Sequence, residues 1–189
     1  MNVKEAIMKR RTIRKFVQEK VSDDKLVELI DCARVAAYGA NMQPLKFRII
    51  TDSDERAQIF PMTKWAGYLS DGTPKENERP TAYIAVLGDK EIKANASFEV
   101  EAGAAVTTMM LEAVEMGLSS CWLGAIEREN IKNALKIPQN LDVVYLLALG
   151  YAAQESKVCE MSEGNVKYFL DDSNVINVPK RSLDEIIVK

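Results

Sequence analysis

The chain has 189 residues, 47% hydrophobic and 28% charged, with no histidine and a net charge of −3. The missing imidazole excludes Ser-His-Asp and Cys-His nucleophilic machinery, HExxH metalloprotease sites and any His-ligated zinc or haem. The acidic balance disfavours nucleic-acid binding, so chemistry falls to carboxylates, Lys, Tyr, Cys or a cofactor that carries the reaction itself.

The opening MNVKEAIMKRR carries charges where a signal peptide needs an apolar core. The longest apolar run, Val143 to Ala153, has about half of the ~20 residues a spanning helix requires. The expectation is a cytoplasmic protein without membrane contact. Asn2 followed by Glu5 predicts a capped first helix, with Val3, Ala6 and Ile7 on one face. Ser22 is expected to cap a second helix, with Asp23 and Asp24 at the positive end of its dipole. Leu26, Leu29, Ile30, Ala33 and Ala37 form its apolar stripe, and Gly39 is expected to end it. Pro44 to Ile50 reads as a strand, and Ser53 is expected to cap a short helix that Pro61 closes.

Residues 62–80 are loop-like, with Gly67, Asp71-Gly72 and Pro74 as turn signals and with Trp65 and Tyr68 read as exposed aromatics. A loop of this length is either a lid or substrate wall, or a tolerated surface insertion. Thr81 to Leu87 and Val143 to Leu149 read as strands, the second central to a sheet. The helix Ser97 to Met116 confines Glu101, Thr108, Glu112 and Glu115 to a narrow polar stripe on an otherwise apolar cylinder. Such a helix packs on two sides, either at the centre of a monomeric core or at a two-fold subunit interface. Helices and strands alternate without strict βαβ order. The expected class is therefore α+β, with a mixed, mostly antiparallel sheet flanked by helices, in one domain spanning 1–189 with a C-terminal extension at 171–189.

Two basic clusters interrupt the acidic background: Lys9, Arg10, Arg11, Arg14 and Lys15, and later Lys180-Arg181. Guanidinium forks suit bidentate phosphate binding, so the two ends of the chain could converge on one anion. Equally, cations at a helix C-terminus complement its dipole, and charge runs are often merely solvated. Gly103, Gly117 and Gly124 form neither GxGxxG nor a Walker pattern, which disfavours a Rossmann or P-loop site. Cys32, Cys121 and Cys159 contain no CxxC pair, which excludes a disulfide framework and a four-cysteine zinc site. Cys121 reads as a small buried hydrophobe, and no metal site is expected.

Taken together, several segments resemble the FMN-dependent nitroreductase family. They are Arg10-Arg11-Thr12-Ile13-Arg14-Lys15-Phe16, Asn41-Met42-Gln43-Pro44, the stretch Met116 to Gly124 (MGLSSCWLG), Leu149-Gly150-Tyr151 and Val178-Pro179-Lys180-Arg181, in family order. The resemblance implies an α/β sandwich that forms an intertwined homodimer with FMN in grooves at the interface. By that resemblance Arg10, Arg11, Lys180 and Arg181 hold the FMN phosphate, with Thr12 in place of the usual serine. Arg14 lies at the pyrimidine edge of the flavin. Tyr38, Asn41 and Gln43 belong to the flavin-binding set, Asn41 and Tyr38 reaching it from the partner subunit. Backbone N–H groups of Leu123 and Gly124 address N5 and O4. The implied activity is ping-pong transfer from NAD(P)H to a flat acceptor such as a nitroaromatic or quinone, and the alternative is a flavin carrier or sensor. The sequence departs from the family at Tyr38-Gly39, where serines are common, and at Leu45, where an aromatic is frequent. It also departs at Leu123, where some members carry a glutamate, and at Ile176-Asn177, where a histidine is expected.

Overall fold

A computed structural model describes residues 1–94 and 97–188. Lys189, the last residue of the expected extension, lies outside them. The first helix, α1 (Val3–Lys9), starts with a complete capping box. The Asn2 side chain accepts from the Glu5 amide, and the Glu5 carboxylate accepts from the Asn2 amide. A short strand, β1 (Phe16–Val17), precedes α2 (Asp23–Arg34).

Three expected boundaries move. Ser22 stands at the N-cap of α2, but its side chain makes no capping bond. That helix stops at Arg34, not at Gly39, because the face buried through Leu26, Leu29 and Ala33 runs out and Val35 is solvent-exposed. Gly39–Asn41 is a separate turn of 3-10 helix. Asp52, not Ser53, caps α3 (Ser53–Ile59): its carboxylate accepts from both the Asp54 and Glu55 amides, so the donors are already satisfied one residue earlier.

The main sheet is antiparallel throughout. Strand β5 (Leu141–Ala152) lies between β3 (Ala82–Asp89) on one edge and, on the other, both β1 and β4 (Ser119–Leu123). Strand β2 (Leu45–Ile50) completes it beside β3. Alternation along β3 divides the core. Ala82, Ile84 and Val86 face α2 and α4 (Glu99–Glu115), while Tyr83, Ala85 and Leu87 face α3 and α5 (Arg128–Ala134). Gly150 in β5 lies against Phe16, and a Cβ there would come within 2.8 Å of the ring, so only glycine lets β1 seat.

Helix α4 packs on the sheet through Ala102, Ala105, Val106, Met109 and Ala113 and runs beside α2 and α1. Glu101, on its polar stripe, is buried and paired with Lys93 at 2.8 Å. Val100 and Thr107 stay exposed, leaving part of this helix uncovered within the chain.

A second sheet joins β6 (Ser156–Glu160), β8 (Ile176–Lys180) and β7 (Phe169–Leu170), with β6 and β8 parallel. A last turn, α6 (Leu183–Ile186), follows. Among the described residues no helix is long and apolar enough to cross a membrane.

Residues 62–80 form the expected loop, with one short 3-10 turn at Glu76–Glu78. Trp65 is the correction here. It is buried, stacks on Phe60 with centroids 5.8 Å apart, and donates to the Thr63 hydroxyl at 2.7 Å. Tyr68 is exposed as expected.

Candidate functional site

The segment after α1 is pinned to the sheet on both sides. The Ile13 amide donates to the Ser120 carbonyl at 3.0 Å, and the amides of Arg14 and Lys15 share the Gln154 side-chain oxygen at 2.6 and 2.8 Å. From the other end of the chain, pairing of β8 with β6 sets Lys180 opposite Glu160. The two ends meet at a cavity of about 110 Å³ lined by Arg10, Arg11, Thr12, Arg14, Tyr168 and Lys180.

Among the described residues, Arg10, Arg14 and Lys180 form no ion pair. Three uncompensated cations and a hydroxyl around one small cavity are a donor set for a phosphate-sized anion. Arg11 is used differently. Its guanidinium donates to the Met8 carbonyl at 2.5 Å and to the Arg10 carbonyl, capping the end of α1. Burial and the neighbouring Arg10 lower its pKa from the ordinary value. Arg181 is exposed, 3.3 Å from Glu185, and does not line the cavity.

Arg14 also lines a second, larger cavity of about 520 Å³, together with Lys15, Tyr68, Glu78 and Gln154. One wall is the 62–80 loop, tied down by an ion pair between Lys15 and Glu78 at 3.3 Å. Between the two cavities Arg14 lies over the Tyr168 ring, 4.6 Å from its centroid, and Tyr168 packs on Tyr68 at 5.0 Å. Tyr68 comes from the loop expected as a lid or substrate wall or as a surface insertion, whereas Tyr168 is not among the expected site residues. Tyr168, next to Phe169, lies in a stretch without periodicity, and nothing local signals its partners.

The remaining expected site residues lie apart from these cavities within one chain. Tyr38 donates its hydroxyl to the Ala33 carbonyl at 2.9 Å, and burial, then Glu101, raises its pKa. Ala40, Asn41 and Gln43 all have positive φ (48°, 54° and 51°), a left-handed stretch costing on the order of 1 kcal/mol per residue without glycine. Asn41 and Gln43 are exposed. Leu123 buries its side chain at the end of β4. Gly124 follows it on the surface, where a Cβ would stand 3.5 Å from Tyr145. Cys121 is buried and its thiol pKa is pushed up to about 11, in keeping with an inert core thiol. Among the described residues no cluster of carboxylates and thiols could hold a metal.

Comparison with known proteins meets this geometry. The nitroreductase family profile matches residues 7–151. A relative from Archaeoglobus fulgidus, bearing the name of an NADH dehydrogenase/NAD(P)H nitroreductase, is 25% identical over 163 residues, 83% of this chain and 89% of its own. The NADPH-flavin oxidoreductase of Vibrio harveyi is 22% identical, over 83% of this chain and 68% of its own. Among solved structures, a nitroreductase family protein from Clostridium novyi NT superposes with a TM-score of 0.68 at 25% identity, covering 100% of both chains. An FMN-dependent nitroreductase from Clostridium difficile R20291 gives 0.69 at 23%, covering 88% of this chain and 97% of its own. The chain belongs to the nitroreductase family and has its α+β fold, and NAD(P)H oxidoreductases are among its relatives.

Proposed function

We propose that this chain is an FMN-dependent oxidoreductase that uses NAD(P)H to reduce a small flat acceptor, a nitroaromatic or a quinone, in a ping-pong cycle. The observation that carries the reading is the convergence of Arg10, Arg14 and Lys180, none ion-paired among the described residues, on one cavity that adjoins a larger one at Arg14. When bound, FMN supplies hydride acceptance and donation.

The protein's own part is to bind, orient and polarise. Arg10 and Lys180, with the Thr12 hydroxyl, hold the phosphate as charge-assisted donors. Arg11 adds positive potential while its fork stays on the carbonyls of α1. Arg181 adds its charge from the rim, drawn off in part by Glu185. Arg14, fixed over Tyr168, sets a permanent charge where negative charge grows at the pyrimidine edge on reduction. The backbone N–H groups at Leu123 and Gly124 orient the ring from the end of β4. Tyr38 and Asn41 serve the site of a second copy in a homodimer, and Gln43 belongs to the same flavin-binding set. The exposure of Asn41 and Gln43 at positive φ, and the uncovered strip along α4, support that assignment. The same reading places the protein in the cytoplasm, where NAD(P)H is supplied.

Purification with added FMN should yield a yellow dimer whose flavin is bleached anaerobically by NADH or NADPH and reoxidised by a nitroaromatic or quinone. A colourless protein that ignores FMN overturns the reading. Bound flavin that neither nucleotide reduces replaces it with a flavin carrier.

A further inference from the structure

A third cavity, of about 190 Å³, lies between α3 and the residues leading into β3. Arg56, Arg79, Tyr83, Ser53 and Glu76 are in its lining, and none of them lines either cavity at Arg14. Arg56 donates through Nε to the Thr51 carbonyl at 3.1 Å and through Nη1 to the Pro80 carbonyl at 3.0 Å. These bonds fix its guanidinium plane and leave Nη2 over for a ligand. Arg79 lays the face of its guanidinium on the Phe60 ring, 4.1 Å from the centroid, which leaves its in-plane N–H groups for other partners.

The polar ledger of this pocket does not close from within the chain. The Nε of Arg79 is buried with no hydrogen-bond partner, and so is the hydroxyl of Tyr83, a residue only 1% exposed. Among the described residues neither arginine has an ion pair. Native proteins rarely leave buried donors unmatched, least of all charged ones. Burial raises the Tyr83 pKa while Arg56 and Arg79 pull it back, and the net rise keeps the phenol protonated and a donor. The set is rich in fixed donors and carries two positive charges. One water accepts at most about two hydrogen bonds, whereas a tetrahedral oxyanion offers acceptors on every oxygen.

We infer that this pocket binds a small tetrahedral oxyanion, inorganic phosphate or the phosphate group of a monoester, held by Arg56, Arg79 and the Tyr83 hydroxyl. Glu76, an exposed carboxylate in the lining, opposes the anion and keeps the affinity modest. The shared chemistry has two sources: free phosphate, or a nucleotide phosphate such as the 2′-phosphate that separates NADPH from NADH.

The test is calorimetric titration of inorganic phosphate into the full chain carrying Arg10→Met, Arg14→Met and Lys180→Met, which removes all three unpaired cations from the basic cavity. One binding event should remain. Arg79→Met should weaken it about tenfold, and Tyr83→Phe severalfold. Glu76→Gln should strengthen it about threefold, at an exposed position where folding is not at stake. Titration with 2′,5′-ADP separates the sources: tighter binding than phosphate, with the same response to Arg79→Met, assigns the site to a nucleotide, and no binding assigns it to free phosphate. No phosphate binding in the triple variant, or an affinity that Arg79→Met and Glu76→Gln both leave unchanged, overturns the inference and leaves a pocket of ordered water.

Discussion

The two sheets of this molecule are held together by different physics. All eight positions of β3 are buried, and β5 beside it carries Leu146, Leu147, Ala148 and Leu149 fully out of water. In the second sheet both residues of β7 and three of five in β6 are exposed. What orders that sheet is Asp171, a polar hub. Its carboxylate accepts from the Asn177 amide and the Lys157 ammonium, each at 3.0 Å, and from the backbone N–H of Ser173 and Val175 at 3.1 and 3.0 Å. The basic cavity draws on both. Thr12 and Arg14 lie on the segment pinned to the apolar sheet, Arg10 caps α1 just before it, and Tyr168 and Lys180 come with the polar sheet. One wall therefore rests mainly on apolar packing, and the other on a carboxylate network.

The largest expected effect breaks the apolar side. Leu147→Ala should cost about 2–5 kcal/mol in chemical denaturation, because β5 is packed on both faces and cannot collapse around the lost atoms. Next comes the shared cavity. Lys180→Ala should weaken FMN binding about tenfold, roughly 1.4 kcal/mol, measured by flavin fluorescence, with the unfolding midpoint hardly moved. Arg14→Ala should keep FMN bound but lower its two-electron midpoint potential by about 30 mV and slow its reduction by NAD(P)H, read by anaerobic spectroelectrochemistry and stopped flow. An unchanged potential would remove Arg14 from its assigned role.

Acid should separate the two sheets. The Asn177 amide first, then Lys157 and the Val175 amide, hold the Asp171 pKa well below the usual carboxylate range. Because the folded pKa is the lower one, its stabilisation is complete above the unfolded value near 4 and fades as pH falls further. Hydrogen exchange should show β6 and β8 losing protection below about pH 4 while β3 and β5 keep theirs. The smallest effect is Val158→Ala on exposed β6, expected within about 0.5 kcal/mol of the parent in the same denaturation assay.

The legibility of the sequence divides along the same line. The runs that became β3 and β5 were readable because burial on both faces writes a continuous apolar stretch, and the first helix because its capping box is local. The strands β6, β7 and β8 were not predicted as such. They lack apolar alternation and depend on one aspartate meeting an asparagine six residues away. The convergence of Arg10, Arg14 and Lys180 was foreseen as one of two readings, and charge alone could not choose between them. Arg11 shows why: within a run of four basic residues out of six, it alone turned back to its own helix. Tyr168 was invisible because its partners, Arg14 and Tyr68, are distant in the chain. Trp65 was misread as exposed because its stack on Phe60 forms only when Pro61 turns the chain between them.

The pairing of Phe16 with Ala152 also bears on the order in which the molecule can form. Closing that contact ties off a loop of most of the chain, an entropic cost met late in folding and never by local structure alone. Lys180 and Tyr168 emerge later still from the ribosome. The three-layer core can therefore mature while the anion cavity is still half built, and no partly synthesised chain lacking β8 presents a complete binding site. A phosphate-bearing ligand would then report on the finished fold, with its stabilisation reserved for chains whose two ends have met.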